Sequence, residues 1–438
     1  MSAAGERRPR VLVICADQLG SSLAGVAVRA YELSRVLMEH ADVTLAGVEA
    51  ETPPPPGVPA VTYALRDPRA LRPHIERADA IFAQQQWPVI ARWMRRSRAR
   101  LVYDLVTPEP FELIEGLAGQ RLTRRVLVTL ALDRLLAALH DGHHFVCGGQ
   151  KQRDLWIGAL MAGRVITPEL YDSDPSLLSV IDPVPFGTSP EPPRAAGRGP
   201  EDRFGAIGPG DEVALWSGGI WGWLDAPSAI RAVAEVVQRR PRLKLVFMAA
   251  SSATQAQAPE REAKRVAEEL GLLDRVVFFN DSWVPYEERA DWLLRASCAL
   301  SAHQEHLETR FAFRTRVLDC FWARLPIVAS GGDELAGRIE REDLGATAPP
   351  GDVPALAAAL ERVLERGRDA FEPQLAAAAA EHEWTRVAQP LVRYVTDPGP
   401  PPPRPRVPRR PLHRARDEGF RAALAGLNAL GIERTPFL

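Results

Sequence analysis

The sequence predicts an α/β protein built from two β/α domains that face each other across a cleft. Three observations carry that expectation. The 438-residue chain is too long for one ordinary domain and suits two. Strand-length apolar runs alternate with helix-period segments in both halves, the pattern of parallel sheets joined by crossover helices. Between Pro183 and Gly210, Pro and Gly accumulate with no period, and the alternation then restarts. The expected layout is a first domain over residues 1–190, a linker over 191–210 and a second domain over 211–390. The last helix of the second domain is free to cross back to the first. A Pro-rich linker (397–411) and a terminal tail with a short helix (412–438) follow.

The elements follow in order. "VLVICA" (Val11–Ala16) is a continuous apolar run, as in a strand buried on both faces. A Gly/Ser loop (Gly20–Gly25) follows, then a helical pattern through Val28, Tyr31, Leu33, Val36 and Leu37, and the strand "DVTLAGV". "ADAIFAQQ", "ARLVYDLV" and "HFVCGG" supply three more strands. In the second half the strands are "EVALWSGG", "LKLVFMAA", "RVVFFND", "CALSAH" and "PIVAS". Helices stand between them, such as "APSAIRAVAEVVQRRP" and "RTRVLDCFWARL", and two more close the domain.

A formal net charge of −2 gives no global basic field for nucleic acid. The cations are nearly all arginine, because Lys151, Lys244 and Lys264 are the only lysines. Cys15, Cys147, Cys298 and Cys320 form no C-x-x-C pair and read as buried thiols of a reducing compartment. The apolar run near the N-terminus ends at Asp17, too short for a signal peptide, and no stretch reaches the ~20 apolar residues that span a bilayer. The expectation is a cytoplasmic protein.

Sites are expected where strands end and helices begin, since helix N-termini and glycine loops attract anions. Gly218-Gly219 and Gly331-Gly332 both lie there, although glycines also mark turns in any such fold. Trp221 and Trp283 sit at strand ends, where a ring either stacks on a base or sugar or plugs the core. Asp172 and Asp174 in "YDSDP" resemble a metal-binding Asp-x-Asp of another transferase class, but lie in a polar loop before Pro175, and no metal role is expected of them. His140, His143 and His144 in "HDGHH" lack an acid or cysteine at ligand spacing and read as a solvated helix end. No metal is expected. No G-x-S-x-G, H-E-x-x-H or phosphate-loop lysine motif occurs.

The blocks "ALWSGGIWGWLDAPSAIRAV", "VIDPVPFG" and "VLDCFWARLPIVAS" resemble the retaining glycosyltransferases of the GT-B fold, family 4, the group 1 type. That fold is two Rossmann-like β/α domains facing across a cleft. "DLVTPEPFEL", "QKQRDLWIGAL", "WVPYEERADWLL" and "HLETRFAFRTRVLD" narrow the resemblance to one bacterial subfamily, over roughly residues 10 to 390. The resemblance implies that a nucleotide-diphosphate sugar binds the second domain and that no other cofactor is needed. It places a ribose-binding acid at Asp319, seven residues before Pro326. The family's first acid falls on Phe311, so Glu308, with Glu305 as the alternative, is expected to replace it through a different loop path, Glu308 holding sugar hydroxyls. The family also carries cations just after the glycine strand end, and here "IWGWLD" has none. Arg314 and Arg316 are expected to supply them, because two charges ~4 Å apart interact by ~4 kcal/mol at an effective dielectric of 20.

The expected catalytic set is therefore Glu308, Arg314 and Arg316. The donor-binding set is Asp319, Gly218, Gly219, Trp221, Trp283, Val284, His306 and Phe311. Gly25, Arg29 and Asp104 in the first half are expected to contact the acceptor. The basic amphipathic stretches "ARWMRRSRARL" and "RLTRRVLVTLALDRLLAALH" fit either a solvated face or an anionic membrane beside a lipid-linked acceptor. The implied function is metal-independent sugar transfer to an acceptor hydroxyl, with retention, in cell-surface polysaccharide or glycolipid synthesis. Decoration of a soluble natural product, or nucleotide-sugar binding without catalysis, are the alternatives.

Overall fold

The first strand, Arg10–Gln18 (β1), is apolar because both faces are covered, and Val11 to Cys15 are all buried. A computed structural model describes residues 7–20, 23, 25–248, 254–282, 284–285, 288–397 and 399–400. The Pro-rich segment from 401 onward and the terminal tail lie outside the described residues, as do Trp283 and part of the Gly20–Gly25 loop.

The chain divides into two units: residues 1–110, 122–185 and 384–438, and residues 111–121 and 186–383. The first holds a seven-stranded parallel sheet. Its strands are β1, Asp42–Val48 (β2), Ala60–Tyr63 (β3), Ala80–Ala83 (β4), Arg100–Asp104 (β5), His144–Cys147 (β6) and Ile181–Pro183 (β7). Their spatial order is β3-β2-β1-β4-β5-β6-β7. The second holds a six-stranded parallel sheet of Glu212–Trp216 (β8), Leu243–Phe247 (β9), Val277–Phe279 (β10), Cys298–Ser301 (β11), Ile327–Ser330 (β12) and Gly345–Ala348 (β13). Its order is β10-β9-β8-β11-β12-β13. Both are doubly wound, with strand order reversing between β1 and β4 and between β8 and β11. Ligand crevices of such sheets open at the carboxyl ends of the strands beside that reversal.

The structure adds three strands that the sequence pattern did not signal: β3, β7 and β13. Residues 191–210, expected as a linker, carry a short helix, Pro200–Arg203, that packs within the second unit. Arg203 Nε donates to Asn280 Oδ1 at 3.2 Å, and Arg295 pairs with Glu201. The expected long closing helix is three: Glu372–Glu381, Trp384–Val387 and Gln389–Thr396. The last two belong to the first unit.

All four cysteines are buried free thiols, and burial pushes Cys15, Cys147 and Cys298 up to about 12. The "HDGHH" segment is not a solvated helix end. His144 opens β6, is buried, bonds Ser179 O through Nδ1 at 3.0 Å and stacks on Tyr394. His143 Nδ1 accepts the Leu101 N–H at 2.8 Å. Asp174 organises a turn by accepting from Ser176 and Ser179, and those bonds pull its carboxyl down to about 2.

Candidate active site in the second unit

The site is built at the carboxyl ends of β8, β11 and β12. After β8 the chain turns through Ser217 and Gly218, whose φ of +98° is a conformation that glycine adopts without strain. A side-chain atom at Gly218 would also stand 3.6 Å from Arg316 Nη2. Gly219 O then accepts two donors, Arg316 Nη2 at 3.1 Å and Trp216 Nε1 at 3.4 Å. The Arg316 guanidinium lies 5.4 Å from the Trp216 ring centroid, within cation–π reach.

β11 runs into His303, which is buried. Its backbone N–H donates to Ser330 Oγ at 3.1 Å, and its Nε2 bonds Gly331 O at 3.0 Å. His303 thus ties the ends of β11 and β12 together and fixes the Gly331-Gly332 turn. Burial and the nearby Arg314, His306 and Arg316 push its imidazole down to about 3, so it is neutral. Asp333 then caps the helix Glu334–Arg341, accepting the Ala336 N–H at 2.6 Å.

The segment after His303 carries the charge. His306 caps the short helix Leu307–Phe311 by accepting the Thr309 N–H at Nδ1, 3.2 Å. A neutral ring that accepts at Nδ1 carries its proton on Nε2. That Nε2 is sealed from solvent and has no hydrogen-bond partner among the described residues. Glu308 is wholly buried, and Arg314 grips it with two bonds, Nη1 to Oε1 at 3.0 Å and Nη2 to Oε2 at 2.7 Å. Arg314 Nη2 also reaches Thr309 Oγ1 at 3.3 Å, and its Nε stands 3.8 Å from Asp333 Oδ2.

Two expectations change here. Arg314 presents no open fork to a diphosphate, because both Nη atoms are engaged with Glu308. Glu308 has no exposed carboxylate for a sugar hydroxyl. The pair braces the loop instead. Arg316 differs. It opens the helix Arg316–Ala323, and its Nη1 is sealed from solvent with no partner among the described residues. Burial and the adjacent Arg314 pull its guanidinium down to about 9, against its ordinary value above 12. An under-paired, desolvated cation of this kind is a place where an anion would be stabilising.

Asp319 lies in the first turn of the same helix, partly exposed, and accepts from Arg289 Nε at 3.2 Å. Arg289 stacks on Trp322 at 4.5 Å, so the acid is oriented from its side. Trp221 and Trp223 stack face to face with centroids 5.5 Å apart and an interplanar angle of 3°. Val284 is buried, and Phe311 stacks on Phe111 at 5.8 Å. The structure thus brings Gly218, Gly219 and Arg316 together, and gathers Glu308, Arg314 and His306 in one neighbouring loop. His303, Thr309, Asp333 and Arg289 were missed. His303 alone left a sequence signal, as a polar residue ending the strand run "CALSAH".

In the first unit Arg29 and Asp104 do not face a ligand. Arg29 Nε and Nη2 bond the Asp104 carboxylate at 2.7 and 3.2 Å, Arg29 Nη1 bonds Pro185 O, and both side chains are buried. They form an internal ion pair. Gly25 begins the helix Gly25–Met38 with open space where a side chain would stand. Polar groups at the β1/β4 reversal are Asp17, Gln84 and Gln86. Gln84 Oε1 accepts the Ala16 N–H at 3.1 Å, Gln86 is buried, and burial pushes the Asp17 carboxyl up.

Residues 212–366 match the family described as "Glycosyl transferases group 1", a span that lies wholly within the second unit. No curated protein matches the sequence. Solved structures share the whole architecture. WaaG, a glycosyltransferase involved in lipopolysaccharide biosynthesis, is 16% identical with a TM-score of 0.62, covering 88% of this chain and 100% of that one. Anabaena HepE in complex with UDP-glucose is 13% identical with a TM-score of 0.63, covering 88% and 99%. Sucrose-phosphate synthase from Thermosynechococcus elongatus is 15% identical with a TM-score of 0.59, covering 88% and 98%. The chain therefore has the GT-B fold, and residues 212–366 are similar to the group 1 glycosyltransferases.

Proposed function

We propose that this protein transfers a glycosyl group from a nucleotide-diphosphate sugar to an acceptor hydroxyl. The observation that carries the proposal is Arg316, a buried guanidinium with an unpaired Nη1, held beside the glycine turn after β8. The match of residues 212–366 supports the same reading. When the bond between the anomeric carbon and the phosphate oxygen breaks, its electron pair stays on the diphosphate. Arg316 is the preorganised charge that stabilises this leaving group more than it stabilises the bound donor. His306 offers its Nε2–H to a donor oxygen, and Asp319 holds the ribose. The acceptor oxygen bonds to the anomeric carbon on the face the diphosphate leaves, so configuration is retained. Its proton passes to the departing phosphate oxygen, and no protein base is used. The charge is carried by Arg316 without a metal, so EDTA leaves turnover unchanged.

The test is Arg316→Ala assayed for release of nucleoside diphosphate from a panel of nucleotide sugars. A loss of about a hundredfold or more in turnover at unchanged melting temperature is expected, the scale for removing one oxyanion donor. Unchanged turnover would remove the proposal. The anomeric configuration of the product, read by NMR, tests retention.

We further propose that the acceptor is lipid-linked and that the first unit rests on an anionic membrane. The helix Arg121–Asp141 exposes Leu122, Leu132 and Leu136 beside Arg121 and Arg125. Arg95 Nη1 reaches Asp141 Oδ2 at 3.5 Å, so the helix Pro88–Arg96 lies next to it, with Arg96 exposed. Apolar side chains among arginines suit an interfacial helix. No helix among the described residues is long and apolar enough to cross a membrane. Leu132→Glu with Leu136→Glu should abolish sedimentation with phosphatidylglycerol vesicles. Failure of the parent to sediment would instead support a soluble acceptor, and equal sedimentation of parent and variant would remove this helix as the membrane-binding surface.

A further inference from the structure

Residues 111–121 come from the first half of the sequence but belong to the second unit. They touch two parts of the candidate site. Phe111 stacks on Phe311, with centroids 5.8 Å apart and planes at 16°. Gly116, the last residue of the helix Glu109–Gly116, lies against the loop that follows β8. A methyl group at Gly116 would stand 3.2 Å from the Trp223 ring, and one at Gly222 would stand 3.4 Å from the Gly116 Cα. A methyl at Gly116 would thus press on the ring, one at Gly222 would just touch the facing backbone, and a larger side chain at Gly116 would force the two segments apart. Trp223 in turn stacks on Trp221, and Trp221 follows Gly219 by two residues.

Both contacts lead to the same guanidinium. Gly219 O holds Arg316 Nη2 from one side. Phe311 lies five residues before Arg316, in the loop braced by Arg314 and Glu308. We infer that residues 111–121 are a positioning strap, which fixes the two loops that aim Arg316 at the donor diphosphate. Phe111 and Gly116 are positioning residues acting through Phe311 and Trp223. They touch no reacting atom. This inference rests on the proposed diphosphate role of Arg316, and the experiment separates the two.

The experiment is a double-mutant cycle on the full chain. Binding of UDP, ADP, GDP and dTDP is measured by calorimetry, and the tightest is used as the probe. Phe111→Ala and Gly116→Val are each made alone and in the Arg316→Ala background. Each strap variant alone should weaken binding by about tenfold to a hundredfold, since a misplacement near 1 Å costs that much. In the Arg316→Ala background neither should weaken it further, because the group they position is gone. Near-ultraviolet circular dichroism of the stacked tryptophans should change in Gly116→Val. Phe111→Leu and Gly116→Ala, milder at both positions, should give smaller effects of the same sign, and they stand in for a parent variant that fails to fold. If Arg316→Ala weakens binding but the strap variants do not, or if their effects add fully to it, the strap is overturned and the diphosphate role survives. If Arg316→Ala binds the probe as the parent does, or no probe binds the parent, both fall. A drop in melting temperature with affinity unchanged would show that the segment only packs, and would also overturn the inference.

Discussion

Arg314 and Arg316 are two residues apart and do different work. Arg314 precedes the helix and spends both Nη atoms on buried Glu308, whereas Arg316 opens the helix and keeps its Nη1 without a hydrogen-bond partner among the described residues. Sequence alone shows that three arginines and two acids crowd this stretch, but not which charges meet. Pairing depends on where the backbone turns, and the short helix Leu307–Phe311 settles that. The position of Asp319 on a helix before "LPIVAS" was legible, because helix period and the following proline fix it. Glu308 was expected to hold sugar hydroxyls, and its burial against Arg314 was not foreseen. Breaking the buried pair tests this account. Glu308→Gln takes the bidentate carboxylate from buried Arg314 and leaves it only Asp333, 3.8 Å from its Nε, which should cost up to about 3–5 kcal/mol in urea unfolding. Replacing both, as Glu308→Met with Arg314→Met, should recover most of that loss, since a well-packed apolar pair avoids the desolvation of two ions. A double variant as unstable as the single one would mean that the pair is not an isolated unit.

Ten of the thirteen strands among the described residues were legible as apolar runs, because a strand covered on both faces must be continuously apolar. The three that were not, β3, β7 and β13, stand at sheet edges. "AVTY", "IDP" and "GATA" are short and half-covered, so no apolar run marks them, and Pro183 is tolerated because an edge strand can lose one donor. β6 was found, yet its first residue was misread as solvated. His144 lies between Ser179 O and the Tyr394 ring, and burial pulls its imidazole down to about 4 from an ordinary value near 6.5. The unfolded chain therefore takes up a proton below about pH 6.5 that the folded chain refuses until about pH 4. Stability from this group is fully present above pH 6.5. It is lost as pH falls toward 4, at up to about 1.4 kcal/mol per pH unit. His144→Phe should lower stability at pH 7, by leaving Ser179 O unpaired, and should flatten the decline between pH 6.5 and 4. An undiminished slope in chemical denaturation across that range would assign the pH dependence elsewhere, with His303 the next candidate.

At the scale of the whole molecule the two units are interleaved in sequence. The chain passes from the first to the second at residue 111, returns at 122, leaves again at 186 and comes back at 384. A boundary drawn from composition near 191–210 captures only one of these passages, because two of the others occur inside helices and the third at the start of one, where no Pro or Gly cluster marks them. The closing segment is the clearest case. Trp384, Leu391, Val392 and Val395 are buried, and the helix Trp384–Val387 packs against the helix Gly25–Met38. Tyr394 stacks on His144 at 4.2 Å, and the Arg100 guanidinium lies 5.5 Å from its ring. Each buried apolar side chain contributes roughly 1.5–3 kcal/mol relative to leaving it in water. The first unit therefore depends on residues that lie beyond the whole of the second in the sequence. A chain ending at residue 383 should lose the calorimetric transition of the first unit, or show it at a much lower temperature. The transition of the second unit should remain, together with its affinity for the nucleoside diphosphate probe. A chain ending at residue 400 is the control for removal of the segment beyond it. If the chain ending at 383 keeps both transitions, the closing helices contribute little to the first unit, and their apolar faces would need another explanation.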